Sequence, residues 1–364
     1  MGITNANGTN VFTVYYRDEG GSVTGALPLV SGSLIAQLDL TQTATCVANN
    51  CTIAVGGSSA SNGIADSFTG VIKAKSGLGI TDVEPAALIG DNYPTAYSTT
   101  AYGHASPSQL AGLTEVDVFQ QVFGIFVNKT GLNINAQNGI CLPSYAITQL
   151  LAGNITDWSK VEDCVSHAAV ASTPTTATIV NREAGSGSRT AASVFWLNDE
   201  CVTGATGVLE DQATDYFSTG NVLSAAGTTS GAITYASIDQ NGSTPNMVMV
   251  SIDGVFPTNL AAAQGLYTWW VESAVVTPNY AIPAVAASIA NFMTADLQNA
   301  NTAPHTAQIN LIPNSGTNTT PSLPVAGTAN TCSNASCTTH GTQAIYVNPF
   351  TKGSISCALP GSQL

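Results

Sequence analysis

The order of apolar and polar residues predicts strands that alternate with helices along most of the chain. Residues 117–128, DVFQQVFGIFVN, form a nearly continuous run of β-type residues, which predicts a strand buried on both faces. Residues 282–297 predict an amphipathic helix, because their apolar side chains recur at three-to-four spacing. Those apolar positions are Ile289, Phe292, Met293 and Leu297. The other predicted strands are 11–16, 178–180, 231–237 and 247–252, and the other predicted helices are 145–151, 190–197 and about 267–272. Such alternation predicts an α/β fold.

The segment 178–197, TIVNREAGSGSRTAASVFWL, joins a strand to a helix through a Gly/Ser loop. Arg182 follows the strand, and the loop Gly185-Ser186-Gly187-Ser188 leads into the helix. Such a loop presents free backbone N–H groups and the positive end of the helix dipole, which suits an anion. A guanidinium adds a planar, bidentate donor for a tetrahedral oxyanion. We therefore predict an anion-binding loop; the alternative is an ordinary strand–turn–helix connection with a surface arginine.

Positive charge is scarce: the chain has eight Lys and Arg residues against twenty-two Asp and Glu residues, and its formal net charge is −14. The three arginines, Arg17, Arg182 and Arg189, each lie beside a Gly/Ser turn. This distribution favours anion binding over simple solvation of the surface. The negative net charge argues against nucleic acid or an anionic membrane as a partner, because both select basic surfaces. It does not argue against a small anion, whose site depends on a few local groups.

The eight cysteines predict disulfides rather than a metal site. The close spacing of Cys46 with Cys51, and of Cys332 with Cys337, predicts two local pairs. The pairing of four others stays open: Cys141, Cys164, Cys201 and Cys357. No CxxC motif is present and the histidines do not fall at zinc-ligand spacing around the cysteines, so neither a metal nor a cofactor is predicted.

Disulfides imply an oxidising compartment, so we expect a periplasmic, extracellular or cell-surface location. The longest strongly apolar run near the middle of the chain, residues 122–127, is too short to span a membrane. Residues 1–5, MGITN, lack the basic and apolar regions of a signal peptide. We therefore expect that a leader has been removed or that the chain is a segment of a longer precursor.

Four stretches resemble the phosphate-binding protein family of ABC transporters, which includes DING-type proteins. They are YYRDEGGSVTG at 15–25, TDVEPA at 81–86, ITQLLAGNITDW at 147–158 and NREAGSGSR at 181–189. The family signature is an arginine, three further residues, and then Ser-Gly-Thr or Ser-Gly-Ser, which resembles Arg182 followed by Ser186, Gly187 and Ser188. The resemblance extends over about residues 11 to 300.

The resemblance implies a two-lobed, type II periplasmic-binding-protein fold with hinge strands. Lobe 1 is then expected at residues 1–120 and again at 247–304, and lobe 2, with the anion loop, at 121–246. Residues 305–364 are rich in Asn, Thr, Ser, Pro and Gly and hold the last three cysteines. We predict that they form a disulfide-pinned C-terminal extension rather than a domain.

The resemblance also implies which residues contact phosphate. Arg182 would clamp the anion, and donors would come from both lobes. The implied donors are Gly21, Ser22, Ser186, Gly187 and Ser188. Asp82 would accept the O–H of hydrogen phosphate; fully deprotonated sulfate has no O–H to offer and would leave this acceptor unpaired. The alternative for Asp82 is a helix-capping or loop carboxylate.

One departure from the family pattern concerns the start of the chain. Family members begin with another strand and helix whose Gly/Ala/Thr turn also touches the phosphate, and no such segment precedes Val11. Either that segment is missing from this chain, or that wall of the site is absent or supplied by another copy. A missing strand would leave a sheet edge that a neighbouring chain could fill.

The leading hypothesis is a phosphate-binding protein that closes two lobes on the anion and delivers it to a membrane ABC transporter. The alternative is a cell-surface or filament-forming structural subunit, because the neutral Ser/Thr/Asn surface and the Cys-rich tail suit self-assembly. A phosphatase-like hydrolase ranks third, with Ser186 or Ser188 as nucleophile. We do not expect an enzyme, because no histidine lies in a motif that would make it a base and GSGS is not a nucleophile elbow.

Overall fold

The structure is a computed structural model of the chain. It describes residues 2–4, 10–13, 21–32, 34–38, 45–47, 50–52, 71–93, 105–133, 139–199, 209, 215–298, 311–313, 346–348, 350–352 and 361–362. The helices, numbered in chain order, are α1 Ser22–Ser31, α2 Pro107–Leu110, α3 Ser144–Leu151, α4 Gly187–Leu197, α5 Thr219–Thr228, α6 Asn259–Ala263 and α7 Ala284–Leu297. The strands are β1 Gly2–Thr4, β2 Asn10–Thr13, β3 Leu34–Leu38, β4 Thr45–Val47, β5 Asn50–Thr52, β6 Val71–Lys75, β7 Gly79–Thr81, β8 Thr114–Asn128, β9 Cys141–Leu142, β10 Thr178–Ile179, β11 Ala232–Ser237, β12 Met247–Met249, β13 Ser251–Ile252, β14 Trp270–Thr277, β15 Leu311–Pro313, β16 Tyr346–Asn348, β17 Phe350–Thr351 and β18 Gly361–Ser362.

The central sheet is organised around β8, which pairs with different strands along its 15 residues. Its first half pairs antiparallel with β14, and β14 pairs in turn with β7. Its second half pairs antiparallel with β11 and β12, and β11 lies parallel to β10. One strand thus connects two groups of strands. This mixed sheet, together with the helices between its strands, confirms the predicted α/β class. The predicted lobe boundaries remain predictions.

The burial of β8 follows this division. Residues 122–128 are all buried, as predicted for a strand covered on both faces, whereas residues 114–121 are buried on one face at most. In the second half, Ile125 and Val127 belong to the main apolar core, and Phe126 faces a second cluster formed with α5 and β12. The predicted two-faced burial therefore holds only for the second half of the strand.

The main core is closed by fully buried tryptophans, including Trp158. The Trp158 Nε1–H donates a hydrogen bond to the Gly231 carbonyl at 2.7 Å, so the turn that carries it is tied to the start of β11. A short helix predicted at residues 267–272 is wrong, because Trp270 begins β14. Trp269, just before this strand, and Trp270 are each 1% exposed, and both belong to the main core.

Helix α7 confirms the amphipathic segment predicted at 282–297. Two of its predicted apolar positions, Met293 and Leu297, pack against the sheet, whereas Phe292 does not. Ala290 is buried against Val118 of β8 and Val275 of β14, with Met293 packed beside it. Phe292 is 69% exposed, so it lies outside the buried stripe. Its three-residue spacing from Ile289 is helical, but the sheet contacts the neighbouring face that holds Ala290, Met293 and Leu297.

Cys141 and Cys164 form a disulfide, which settles one of the pairings that the sequence left open. Cys46 and Cys51 are register partners in the β4–β5 hairpin, and their predicted bond remains a prediction. Arg17, Cys201, Cys332, Cys337 and Cys357 lie outside the described residues, as does most of segment 305–364. Among the helices that the structure describes, none is long and apolar enough to cross a membrane.

Candidate anion-binding site

Helix α4 begins inside the predicted anion loop. It starts at Gly187, earlier than the predicted Thr190, because the Ser186 side chain caps it by accepting the Arg189 N–H at 3.5 Å. The Thr190 hydroxyl adds a bond of 3.1 Å to the Ser186 carbonyl. The N–H groups of Gly187 and Ser188 are the first of the helix and have no intrahelical acceptor. The positive end of the α4 dipole therefore lies at this loop.

The α1 loop, which consists of Gly21 and the first residues of α1, meets the anion loop, residues 185–188, backbone to backbone. The Val23 N–H donates to the Gly185 carbonyl at 3.0 Å. Gly21 is packed so closely that a Cβ atom there would lie 2.7 Å from the Ser186 Cα. Glycine at position 21 thus permits the close approach of two helix starts, those of α1 and α4.

Ser22, Asp82 and Gly187 meet at the centre of the site. The Asp82 N–H donates to the Ser22 Oγ at 2.9 Å, which ties the end of β7 to the start of α1. A Cβ atom at Gly187 would clash with the Ser22 Oγ and would lie 2.6 Å from both the Cβ and the Oδ2 of Asp82. The Asp82 carboxylate is therefore directed at the first turn of α4.

Arg182 supplies a buried cation next to this point. Its Nη1 lies 3.2 Å from the Ser188 Oγ and 2.9 Å from the Thr219 Oγ1, and the residue is 9% exposed. The Ser188 Oγ lies in turn 3.0 Å from the Ser186 Oγ. The Arg182 Nε is buried and has no hydrogen-bond partner among the described residues. This N–H can therefore donate a hydrogen bond to an oxygen atom of a ligand.

The electrostatics of the site reflect this burial. Burial raises the pKa of Asp82, and the Arg182 charge and a hydrogen bond with Ser22 oppose that rise. Burial also lowers the pKa of Arg182, and negative charge at Asp82 and Glu183 is among the effects that oppose the lowering. Glu183 is half-buried, and desolvation raises its pKa to about 7 against the effect of Arg182. One guanidinium thus faces two carboxyl groups in a site from which water is largely displaced.

All seven residues that the resemblance implies are therefore brought together. Two further residues beside the site, Thr219 and Asn92, were not predicted from the sequence. Thr219 begins α5, whose N-cap is Ser218, and the signal that could have found it was the Ser218-Thr219-Gly220 start before an apolar run. Asn92 accepts the Gly185 N–H through its carbonyl at 2.9 Å, and its buried Nδ2 has no partner among the described residues. A lone asparagine in a loop gave no comparable signal.

Arg189 has a supporting position rather than a place in the site. It is 3% exposed, and its Nη1 lies 3.0 Å from the Arg182 carbonyl and 3.0 Å from the Asp215 Oδ2. The second arginine of the loop thus holds the backbone of the first. Its proximity to the Gly/Ser turn was predicted from the sequence, but its contacts are structural.

Groups that would support other chemistry are not found near the site in the part of the chain that the structure describes. No group of three or more His, Cys, Asp or Glu side chains among these residues is placed to hold a metal ion. His167 is the one histidine within them, and it belongs to a turn in which its N–H donates to the Asp163 carbonyl at 2.9 Å. That turn includes Cys164, which is bonded to Cys141.

No protein-family profile and no curated protein matches the chain. Among solved structures, an ABC-type phosphate transport receptor from Vibrio cholerae is 16% identical, with a TM-score of 0.38, over 52% of this chain and 70% of that one. PstS from Borrelia burgdorferi is 18% identical, with a TM-score of 0.35, over 54% and 72%. A periplasmic phosphate-binding protein of the DING type, PfluDING, is 13% identical, with a TM-score of 0.39, over 52% and 64%.

These proteins are of the class that the sequence motifs resemble. Their likeness to this chain is partial, because each TM-score lies below 0.5 and each identity is 18% or lower. The ligand of this chain therefore has to be argued from its own residues.

Proposed function

We propose that the site binds inorganic phosphate. The observation that carries this proposal is the buried Arg182 guanidinium, whose unpaired Nε lies in a site that also holds the Ser188 hydroxyl and the open start of α4. A buried cation is costly unless a negative group compensates it, and the free helix amides add donors for the same anion. A tetrahedral oxyanion uses all of these donors at once.

Asp82 gives the proposed site its selectivity. Its carboxylate is directed at the first turn of α4, where an anion would sit, and two negative groups would repel each other unless a proton lies between them. Hydrogen phosphate supplies that proton through its O–H, whereas sulfate does not. We therefore expect phosphate to be preferred to sulfate.

The proposed role is that of a receptor rather than an enzyme. The hydroxyls of Ser186 and Ser188 lie 3.0 Å from each other, and Ser186 is also the cap of α4. Neither hydroxyl has an imidazole partner among the described residues. Delivery of phosphate to a membrane ABC transporter, from a periplasmic, extracellular or cell-surface location, completes the proposal. No feature of the described residues favours the filament or cell-surface subunit, and we do not propose it.

Calorimetric titration of anion-stripped protein tests the proposal. We expect saturable phosphate binding in the wild type, its loss in Arg182→Gln, and little binding of sulfate. Asp82→Asn should reduce the preference for phosphate over sulfate, because an amide no longer requires a proton on the anion. Glu162→Gln is the matched control, a carboxylate-to-amide change at an exposed position outside the site, and should bind like the wild type. A well-folded wild type that binds neither anion would refute the proposal.

The contribution of Thr219 can be tested separately. Thr219→Val removes the oxygen that holds the Arg182 Nη1 at 2.9 Å but keeps the shape of the side chain. Loss of one such bond is worth about 1 kcal/mol, so we expect phosphate affinity to fall about fivefold. Thr228→Val, at an exposed position of the same helix, is the control. An unchanged affinity in Thr219→Val would remove this residue from the site.

A further inference from the structure

One of the few cations of the chain is buried where the C-terminal extension returns to the central sheet. Lys352 is 5% exposed and directly follows β17. Its Nζ lies 5.3 Å from the ring centre of Phe195 on α4 and 5.1 Å from that of Trp270 on β14. Both distances are in the range of cation–π attraction. The ammonium therefore lies between α4 and β14.

A polar network holds the backbone of this segment in place. The Glu272 carboxylate, on β14, accepts the Lys352 N–H at 3.1 Å and the Thr351 hydroxyl at 2.7 Å. Glu272 also accepts the Gln120 side-chain amide from β8 at 3.1 Å. Asn348 of β16 donates to Gln120 at 2.6 Å, so the extension is bonded to both of the paired strands. All of these bonds are buried or partly buried, which makes their loss costly.

The ammonium is also linked to the loop that carries Asp82. Burial lowers the pKa of Lys352 to about 8, and the negative charges of Glu272 and Glu84 oppose this lowering. Lys352 therefore stays largely charged at neutral pH. Glu84 lies two residues after Asp82, so the lysine is attracted to the segment that faces Gly187.

Helix α4 is thus held at both ends. Its first turn touches Ser22 and Asp82 through Gly187, and its last turn contacts Lys352 through Phe195. A movement of α4 away from the α1 loop would open the anion site and would also take the Phe195 ring away from a buried ammonium. Since an ammonium without such partners is costly in a buried position, the contact favours the arrangement in which the two loops touch.

We infer that Lys352 is a positioning residue through which the C-terminal extension holds α4 against the α1 loop and keeps the anion site assembled. This inference rests on the proposed binding of phosphate and names a device that regulates how readily the site opens. Lys352 itself has no contact with the proposed anion position among the described contacts.

The first arm of the test is phosphate binding by the full chain. In Lys352→Met we expect phosphate to bind about tenfold more weakly, mainly through faster dissociation measured by stopped flow. Lys352→Arg should bind like the wild type, because it keeps the charge and can stack on aromatic rings. Lys129→Met, at an exposed position, is the matched control and should not change the affinity. Wild-type affinity in a folded Lys352→Met would overturn the inference.

The second arm needs no ligand and therefore separates this inference from the proposed function. Hydrogen exchange of the Val23 amide reports contact between the two loops, because that amide is bonded to the Gly185 carbonyl. We expect this amide to exchange about tenfold faster in Lys352→Met, while the Thr190 amide inside α4 keeps its wild-type rate. Equal acceleration at both amides would indicate general destabilisation and would refute the inference.

A third variant guards against a protein that fails to fold. Phe195→Leu keeps the lysine and an apolar side chain but removes one aromatic face, so a smaller acceleration at Val23 is expected. No acceleration in this variant would refute the role of the ring. If the wild type does not bind phosphate but exchange at Val23 responds as expected, the proposed function fails and the role of Lys352 in assembling the two loops stands.

Discussion

Gly187→Ala is the substitution that most directly tests how the site is assembled. A Cβ atom at this position would lie 2.6 Å from both the Cβ and the Oδ2 of Asp82, which is 0.4 Å inside the 3.0 Å that real Cβ contacts respect. It would also meet the Ser22 Oγ. That hydroxyl cannot rotate away freely, because it accepts the Asp82 N–H at 2.9 Å. The added methyl group must therefore separate the start of α4 from Asp82 or break that hydrogen bond.

The cost can be divided between folding and binding. Overpacking of this kind costs about 1–3 kcal/mol, and the better helix propensity of alanine returns up to about 1 kcal/mol. We expect a net loss of about 1–2 kcal/mol, which leaves a typical domain folded. Binding should lose more, because the donors of Ser22 and of the helix start no longer converge on one anion. A tenfold or greater loss of phosphate affinity, about 1.4 kcal/mol or more, is expected.

Gly220→Ala supplies the matched control, since Gly220 also lies in the first turn of a helix next to the site. Its nearest neighbour for an added Cβ is the Ser218 Oγ at 3.9 Å, so alanine fits and should stabilise the protein by about 0.4–1 kcal/mol. Calorimetry with phosphate and urea denaturation should be run on both variants. If Gly187→Ala binds phosphate as tightly as Gly220→Ala does, the contact between α4 and Asp82 is not part of the binding site and the reasoning fails.

Two further predictions concern stability. Burial and the neighbouring charge of Asp117 raise the pKa of Glu115 to about 7 from a usual 4.5, so the folded state holds a proton that the unfolded state has lost. Stability should therefore fall as pH rises from 4.5 to 7. Because Glu183 contributes in the same direction, urea denaturation should show this fall reduced in Glu115→Gln but unchanged in the exposed control Glu162→Gln. Trp158→Phe removes a buried bond of 2.7 Å and should cost about 2–3 kcal/mol by the same assay. Trp196→Phe should cost less, because the Trp196 Nε1 has no partner among the described residues, and equal costs would contradict the role given to the Trp158 bond.

The anion loop could be predicted because its chemistry is local in sequence. Arg182, Ser186 and Gly187 lie within one strand–loop–helix unit, where glycine, serine and a scarce cation carry recognisable roles. The start of α4 was placed too late because the capping role of Ser186 was not assigned, although serine before Gly187 is a common N-cap. Local rules thus found the loop and missed its first helical turn.

The elements that were predicted wrongly depend on contacts between distant parts of the chain. Residues 267–272 hold two tryptophans and a glutamate, and nothing in their spacing indicates that residues 270–272 pair with β8. Phe292 has the helical spacing of a core residue, but the neighbouring sheet takes Ala290 and leaves the ring exposed. In both places the tertiary partner, rather than the pattern of apolar residues, decides the outcome.

Lys352 shows most clearly why a site cannot be read from its motif alone. In the sequence it stands in a polar tail that carries no anion-binding signal, far from both Phe195 and Trp270. Only the fold brings its ammonium between these two rings and links it to the carboxylates beside β7 and on β14. The motif residues provide donors for an anion, whereas the stiffness with which those donors are held depends on how the rest of the chain packs behind them. We therefore expect Lys352, which lies outside the anion site, to set the rate at which that site opens.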